Sequence, residues 1–162
     1  MRLKKTYSSR EVAVFTGLSA RQLQIWHADG LMPPAVPPQR TAAGGYTERR
    51  YTPIDLFELQ VLAELRDLGF SVPQLRAIID ALRAHFQARL FEATGGGGAL
   101  HLLTDGSDVY VRTPEDKSFN LLKSPTQPML AIGDSGSLRV LGGGRRRARR
   151  APRRRRHGSA NS

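Results

Sequence analysis

A recurring helix-start signature constrains this chain more than any other feature. Ser8 with Glu11, Ser19 with Gln22 and Ser71 with Gln74 each fit the S/T-x-x-E/Q pattern. In that pattern the hydroxyl and the side chain three residues on satisfy each other's exposed backbone donors. Thr52-Pro53-Ile54-Asp55 is a further start, with proline at the first helical position, where its missing N–H costs nothing. Gly17, Gly30 and Gly69 supply the stops, because glycine accepts the left-handed backbone just past a helix end. The pattern predicts helices over 9–15, 20–29, 53–68 and 72–92. The last carries a stripe of Leu75, Ile78, Ile79, Leu82, Phe86 and Leu90.

Between the second and third helices, residues 36–51 hold prolines and then Ala43-Gly44-Gly45, flanked by Arg40 and by Tyr46 to Tyr51. This reads as a short hairpin. Gly95 to Gly98 read as a flexible linker. Beyond them, 99–103 and 108–113 are apolar-rich runs around Asp105-Gly106, expected to pair as strands. Residues 114–124 are expected to hold a helix, and 129–132 and 138–141 two more strands. The fold class is therefore mainly α: a winged helix-turn-helix over 6–93, a linker over 94–98 and a small α+β unit over 99–141. A disordered Arg-rich tail is expected over 142–162.

Charge is uneven along the chain. Of a net +11, nine arginines and no acid fall from Arg145 onward, whereas residues 1–144 set 16 bases against 14 acids. Residues 1–52 are basic again, with eight bases against three acids. Basic ends favour a polyanion through phosphate neutralisation and counterion release. Cysteine is absent, which removes disulfides, thiolate metal sites and thiol nucleophiles together. The basic start is followed by no apolar stretch, and no run approaches the ~18 residues that span a bilayer. The expectation is a cytoplasmic, nucleoid-associated protein without a membrane segment.

Helix, short turn, helix and hairpin place chemistry on one side. With a 3.6-residue period, Leu23 and Trp26 join Val12 and Leu18 in a small core, while Arg21, Gln24, Ile25 and Ala28 face outward. Arg21 suits a guanine edge or a phosphate, Gln24 an adenine edge and Ile25 a thymine methyl. Arg40, Arg49, Arg50 and Tyr51 of the hairpin suit phosphates beside the groove. Trp26 reads as a structural residue ahead of a stacking one, and His27 as a satisfied structural histidine ahead of a base contact.

These residues carry a family resemblance. Tyr7-Ser8-Ser9-Arg10-Glu11-Val12-Ala13, Thr16-Gly17-Leu18-Ser19, Arg21, Leu23, Trp26 and Gly30-Leu31-Met32-Pro33 resemble the N-terminal domain of MerR-type regulators. The likeness continues through Arg50-Tyr51-Thr52, Ile54-Asp55-Leu56 and Leu65-Arg66-Asp67-Leu68-Gly69-Phe70-Ser71, covering about residues 6–82. It implies a sequence-specific transcription regulator whose partner is double-stranded DNA, with a homodimer and RNA polymerase as further partners. The expected DNA-contacting set is Arg10, Ser19, Arg21, Gln22, Gln24, Ile25, Ala28, Arg40, Arg49, Arg50 and Tyr51. Where the family commonly has arginine, two aromatics and an acid, this chain has Gln24, Ile25, Trp26 and His27. The glycines after Thr94 leave no room for the family's long dimer coil, so a dimer is expected to use Leu82, Phe86 and Leu90 with the C-terminal unit. The run 103–110, followed by Leu121-Leu122, looks similar to the strand-rich unit of actinobacterial-type members.

Other function classes find little support. Gly133-Asp134-Ser135-Gly136 resembles a serine-protease nucleophile segment, but a paired histidine base and buried acid are not evident. The glycine run lacks the Lys-Ser/Thr of a phosphate loop. No enzyme, cofactor or metal is expected. The alternative reading is a nucleoid-architectural or protein-interaction factor that binds DNA mainly nonspecifically through the arginine tail.

Overall fold

A computed structural model describes residues 5–32, 34, 38–94, 98–130 and 138–142. Its elements run β1 (Tyr7–Ser8), α1 (Ser9–Thr16), α2 (Ala20–Ala28), β2 (Arg50–Tyr51), α3 (Pro53–Asp67) and α4 (Val72–Phe86). A 3-10 turn (Leu90–Ala93) leads to β3 (His101–Thr104), β4 (Val109–Arg112), β5 (Ser118–Asn120) and β6 (Arg139–Val140). The N-terminal part is mainly helical and the C-terminal part is a small sheet.

Capping chemistry places the helices where the sequence puts them. Glu11 N donates to Ser8 Oγ at 3.2 Å, Gln22 N to Ser19 Oγ at 3.0 Å and Gln74 N to Ser71 Oγ at 3.3 Å. At each site the partner side chain accepts from the capping backbone in return. Thr52 and Asp55 form the same reciprocal box at the start of α3, at 3.2 and 2.9 Å. Gly17 ends α1 in the left-handed region at φ 74° and donates to Ala13 O at 2.9 Å.

The fourth helix is shorter than its apolar stripe suggests. It ends at Phe86, and Gln87 turns the chain at φ 50°, ψ 37°, a left-handed conformation without glycine. That conformation costs roughly 1–2 kcal/mol in a residue with a Cβ. The turn brings Arg89 over the start of α3, where its guanidinium pairs with Glu58 and lies 3.5 Å from Asp55. Both carboxylates are buried, and Glu58 Oε2 also accepts from Phe91 N at 3.2 Å. Phe91 packs edge-on against Phe57 at 5.4 Å. Leu90 therefore keeps its place in the stripe from a separate turn. Arg89→Ala would strand two buried carboxylates. The expected loss in urea denaturation is about 2–3 kcal/mol, less than for a fully enclosed pair because the arginine is half exposed.

The C-terminal strands form one antiparallel sheet in the order β5-β4-β3-β6. Leu102 pairs with Val111, Thr104 with Val109, Val111 with Phe119 and Leu103 with Val140. At the β3–β4 turn Asp105 accepts from Asp108 N at 2.7 Å, Ser107 N at 2.9 Å and the Tyr110 hydroxyl at 3.0 Å. The amide from Asp108, first among these, holds the Asp105 carboxyl below its usual range. Burial, then the bond to Asp105, pushes the Tyr110 phenol up to about 12.

Two expectations for this region need correction. Residues 114–124 hold β5 and turns in place of a helix. Asp116 sits at φ 60°, closing a hairpin in which Thr113 N donates to Lys117 O at 2.8 Å. Asn120 Oδ1 then accepts from Leu122 N and Lys123 N, each at 3.1 Å, fixing a tight turn. Met129 and Leu130 belong to no strand, and Ala131 and Ile132 lie outside the described residues. So do residues 143–162, on which the expected disordered tail falls, Gly95 to Gly97 of the expected linker, and Gly133-Asp134-Ser135-Gly136.

One hydrophobic cluster runs through helices and sheet alike. Val12, Leu23, Trp26, Leu62, Leu75 and Leu82 share it with Leu102, Val109, Val111, Leu121 and Leu141. Phe86 meets Phe119 edge-on at 5.1 Å. Gly142, just after β6, approaches Thr94 so closely that a Cβ would lie 2.7 Å from the Thr94 carbonyl oxygen. Leu82 and Leu90 are fully enclosed within the chain. Of the residues assigned to a dimer, Leu82 and Leu90 are thus buried within the chain and Phe86 is half-buried beside Phe119.

Candidate nucleic-acid interface

The local sequence builds a helical face with two distinct sides. Leu18, Leu23 and Trp26 are buried, and the Trp26 carbonyl accepts from Leu31 N at 2.9 Å and Met32 N at 3.3 Å. This anchors the end of α2. Arg21, Gln24 and Ala28 are exposed on its other side, and Ile25 is 43% exposed despite being apolar. Arg10 is exposed on α1. Ser19 is exposed, and its hydroxyl is committed to the cap of α2, as is the half-buried Gln22 through Oε1. Arg76 of α4 donates to Asp29 O at 2.6 Å, bracing the same helix from behind.

The hairpin beside α2 closes through an Arg40–Tyr46 bridge, with Thr41 N donating to Gly45 O at 2.7 Å and Gly44 at φ 88°. Arg40 is exposed. Tyr46 is 72% exposed at the same bridge, a candidate contact residue outside the expected set. Its signal was an aromatic directly after the paired glycines.

The two consecutive arginines at the hairpin base have different fates. Arg50 Nε and Nη2 donate to Thr6 Oγ1 at 3.0 and 2.9 Å, Nη2 also reaches Thr6 O at 3.3 Å, and Nη1 pairs with Glu48 at 3.3 Å. These contacts hold the Arg50 guanidinium against Thr6 and Glu48. Arg49 Nε donates to His27 Nδ1 at 3.2 Å, which ties the hairpin to α2. No ion pair occupies Arg10, Arg21, Arg40 or Arg49 among the described residues.

Tyr51 has to be withdrawn as a phosphate contact. It pairs with Tyr7 across β1 and β2 and is fully buried. Alternation along the strand sends Arg50 outward and Tyr51 inward. Its hydroxyl lacks a well-formed hydrogen bond, with only weak help from Ser9, and burial raises its pKa despite nearby Arg49. Among the described residues no cluster of acids and histidines is arranged to hold a metal. No described helix is long and apolar enough to cross a membrane.

Residues 7–82 match the family model described as "MerR HTH family regulatory protein". An HTH-type transcriptional regulator of Mycobacterium tuberculosis is 30% identical over 137 residues, covering 85% of this chain and 56% of that protein. The HTH-type transcriptional activator TipA of Streptomyces coelicolor is 36% identical over 85 residues, covering 52% of this chain and 31% of that one. The chain thus spans little more than half of the mycobacterial relative. A solved MerR-family regulator from Bacillus cereus is 28% identical, with a TM-score of 0.37, covering 46% of this chain and 51% of that one. Over residues 7–82, a little under half of its length, the chain matches the MerR HTH family of regulatory proteins.

Proposed function

We propose that the chain is a sequence-specific DNA-binding regulator that lays α2 in the major groove and flanks it with the 38–51 hairpin as a wing. The observation that carries this reading is the exposed row of Arg21, Gln24, Ile25 and Ala28 on a helix whose other side is locked by Leu23 and Trp26. Such a helix offers donors, an acceptor and an apolar contact to base edges without rearranging. Arg10, Arg40, Arg49 and exposed Tyr46 flank it as phosphate contacts. Arg50 instead holds the hairpin in place.

Regulation from a palindromic site calls for a symmetric pair. With Leu82 and Leu90 enclosed, a homodimer needs a different surface of this chain or further chain beyond it. RNA polymerase is the partner through which a promoter-bound regulator of this kind would act, and the nucleoid is its place.

The test is Arg21→Ala in the full chain, measured on the duplex it selects from a random pool and on a scrambled duplex. The expected loss is about 1–3 kcal/mol on the selected duplex and a smaller one on the scrambled duplex. Equal losses on both would remove Arg21 from base reading.

A further inference from the structure

We propose that His27 is a positioning residue for Arg49, aiming its guanidinium at a DNA phosphate beside α2 while leaving its charge uncompensated. This rests on the DNA-binding reading above. The contact spans 22 residues of sequence, from the last turn of α2 to the base of the hairpin. Arg49 Nε is the donor, so His27 Nδ1 acts through its lone pair, and the ring in this contact carries its proton on Nε2. Trp26, the preceding residue in α2, is buried, and its carbonyl anchors the helix end from which His27 projects.

A carboxylate would hold the guanidinium equally well, but it would also cancel its charge. A neutral imidazole orients without neutralising. Using Nε alone leaves both Nη groups, and Arg49 makes no other hydrogen bond or ion pair among the described residues. The Nη pair forms the edge that grips a phosphate with two parallel bonds. Adjacent Arg50 is the internal contrast, since Glu48 and Thr6 hold its guanidinium. Ordering Arg49 in the free protein also means that less rotamer freedom is lost on binding.

The experiment uses full-length variants His27→Ala, His27→Asn, His27→Glu, Arg49→Ala and the double variant His27→Ala/Arg49→Ala. Each is titrated with the selected duplex between 50 and 200 mM salt, with Arg21→Ala as reference. His27→Ala should weaken binding about three- to tenfold, the worth of one oriented hydrogen bond, with the salt slope kept. His27→Asn, whose amide oxygen replaces the Nδ1 acceptor, should restore affinity. His27→Glu and Arg49→Ala should each lower the slope by about 0.9, as expected when one phosphate is no longer neutralised. Adding His27→Ala to Arg49→Ala should change nothing more. In the free protein, the Arg49 Nε–H signal by NMR should be resolved in wild type and His27→Asn and absent in His27→Ala. A full His27→Ala loss that persists without Arg49, or an Nε–H signal unmoved by His27→Ala, overturns the proposal. If Arg21→Ala loses site preference while the His27 and Arg49 variants bind normally, the positioning role fails and the DNA reading stands. If the wild-type chain selects no duplex from the random pool, the DNA reading itself fails.

Discussion

A chain ended after Thr94 is expected to lose its cooperative thermal transition. The truncation removes Leu102, Val109, Val111, Leu121 and Leu141, all at or near zero exposure, from a cluster they share with the helices. Burying each such side chain contributes about 1.5–3 kcal/mol. Five of them together rival the whole ~5–15 kcal/mol that keeps a domain folded. Phe86 is also deprived of its edge-on partner Phe119. Circular dichroism on heating should show a shallow, early loss of helix, and the fragment should associate through its new apolar surface. A sharp transition near that of the full chain would mean that residues 6–93 form a self-sufficient unit after all.

Trp26→Ala should cost about 3–5 kcal/mol of stability in urea, the range for emptying a large buried aromatic site. Trp26 is 2% exposed and shares the core with Leu23 and Leu31. DNA binding should fall only as far as the folded fraction falls. Trp26→Phe keeps most of the volume, so it should lose less stability and retain full site preference. A folded Trp26→Phe variant that has lost that preference would make the tryptophan a base-contact residue.

What the sequence disclosed depended on how local the determining physics was. The starts of α1, α2, α3 and α4 were legible because each cap is settled by residues three apart. The end of α4 was not, because Gln87 adopts a glycine-like conformation and the compensating Arg89 pairing lies 31 residues away at Glu58. Residues 114–124 read as a helix, and the pairing of Ser118 to Asn120 with β4 overrode it. The outward row of α2 followed from helical period alone. The contacts of Arg49, Arg50 and Tyr51 did not. Two residues of strand are too few to show alternation, and the partners that decide the matter, His27 and Thr6, are 22 and 44 residues distant.

The clasp between Thr6 and Arg50 also has a practical meaning for anyone handling the protein. It stitches the start of the chain to the base of the hairpin, reinforced by the Tyr7–Tyr51 and Ser8–Arg50 register. An affinity tag joined ahead of Met1 would lie a few residues of sequence from Thr6, whose partner Arg50 adjoins Arg49. A polyhistidine or acidic tag there adds its own charges to the surface being titrated. Binding constants would then report the tag together with the protein, and cleaving it off before measurement becomes part of the experiment.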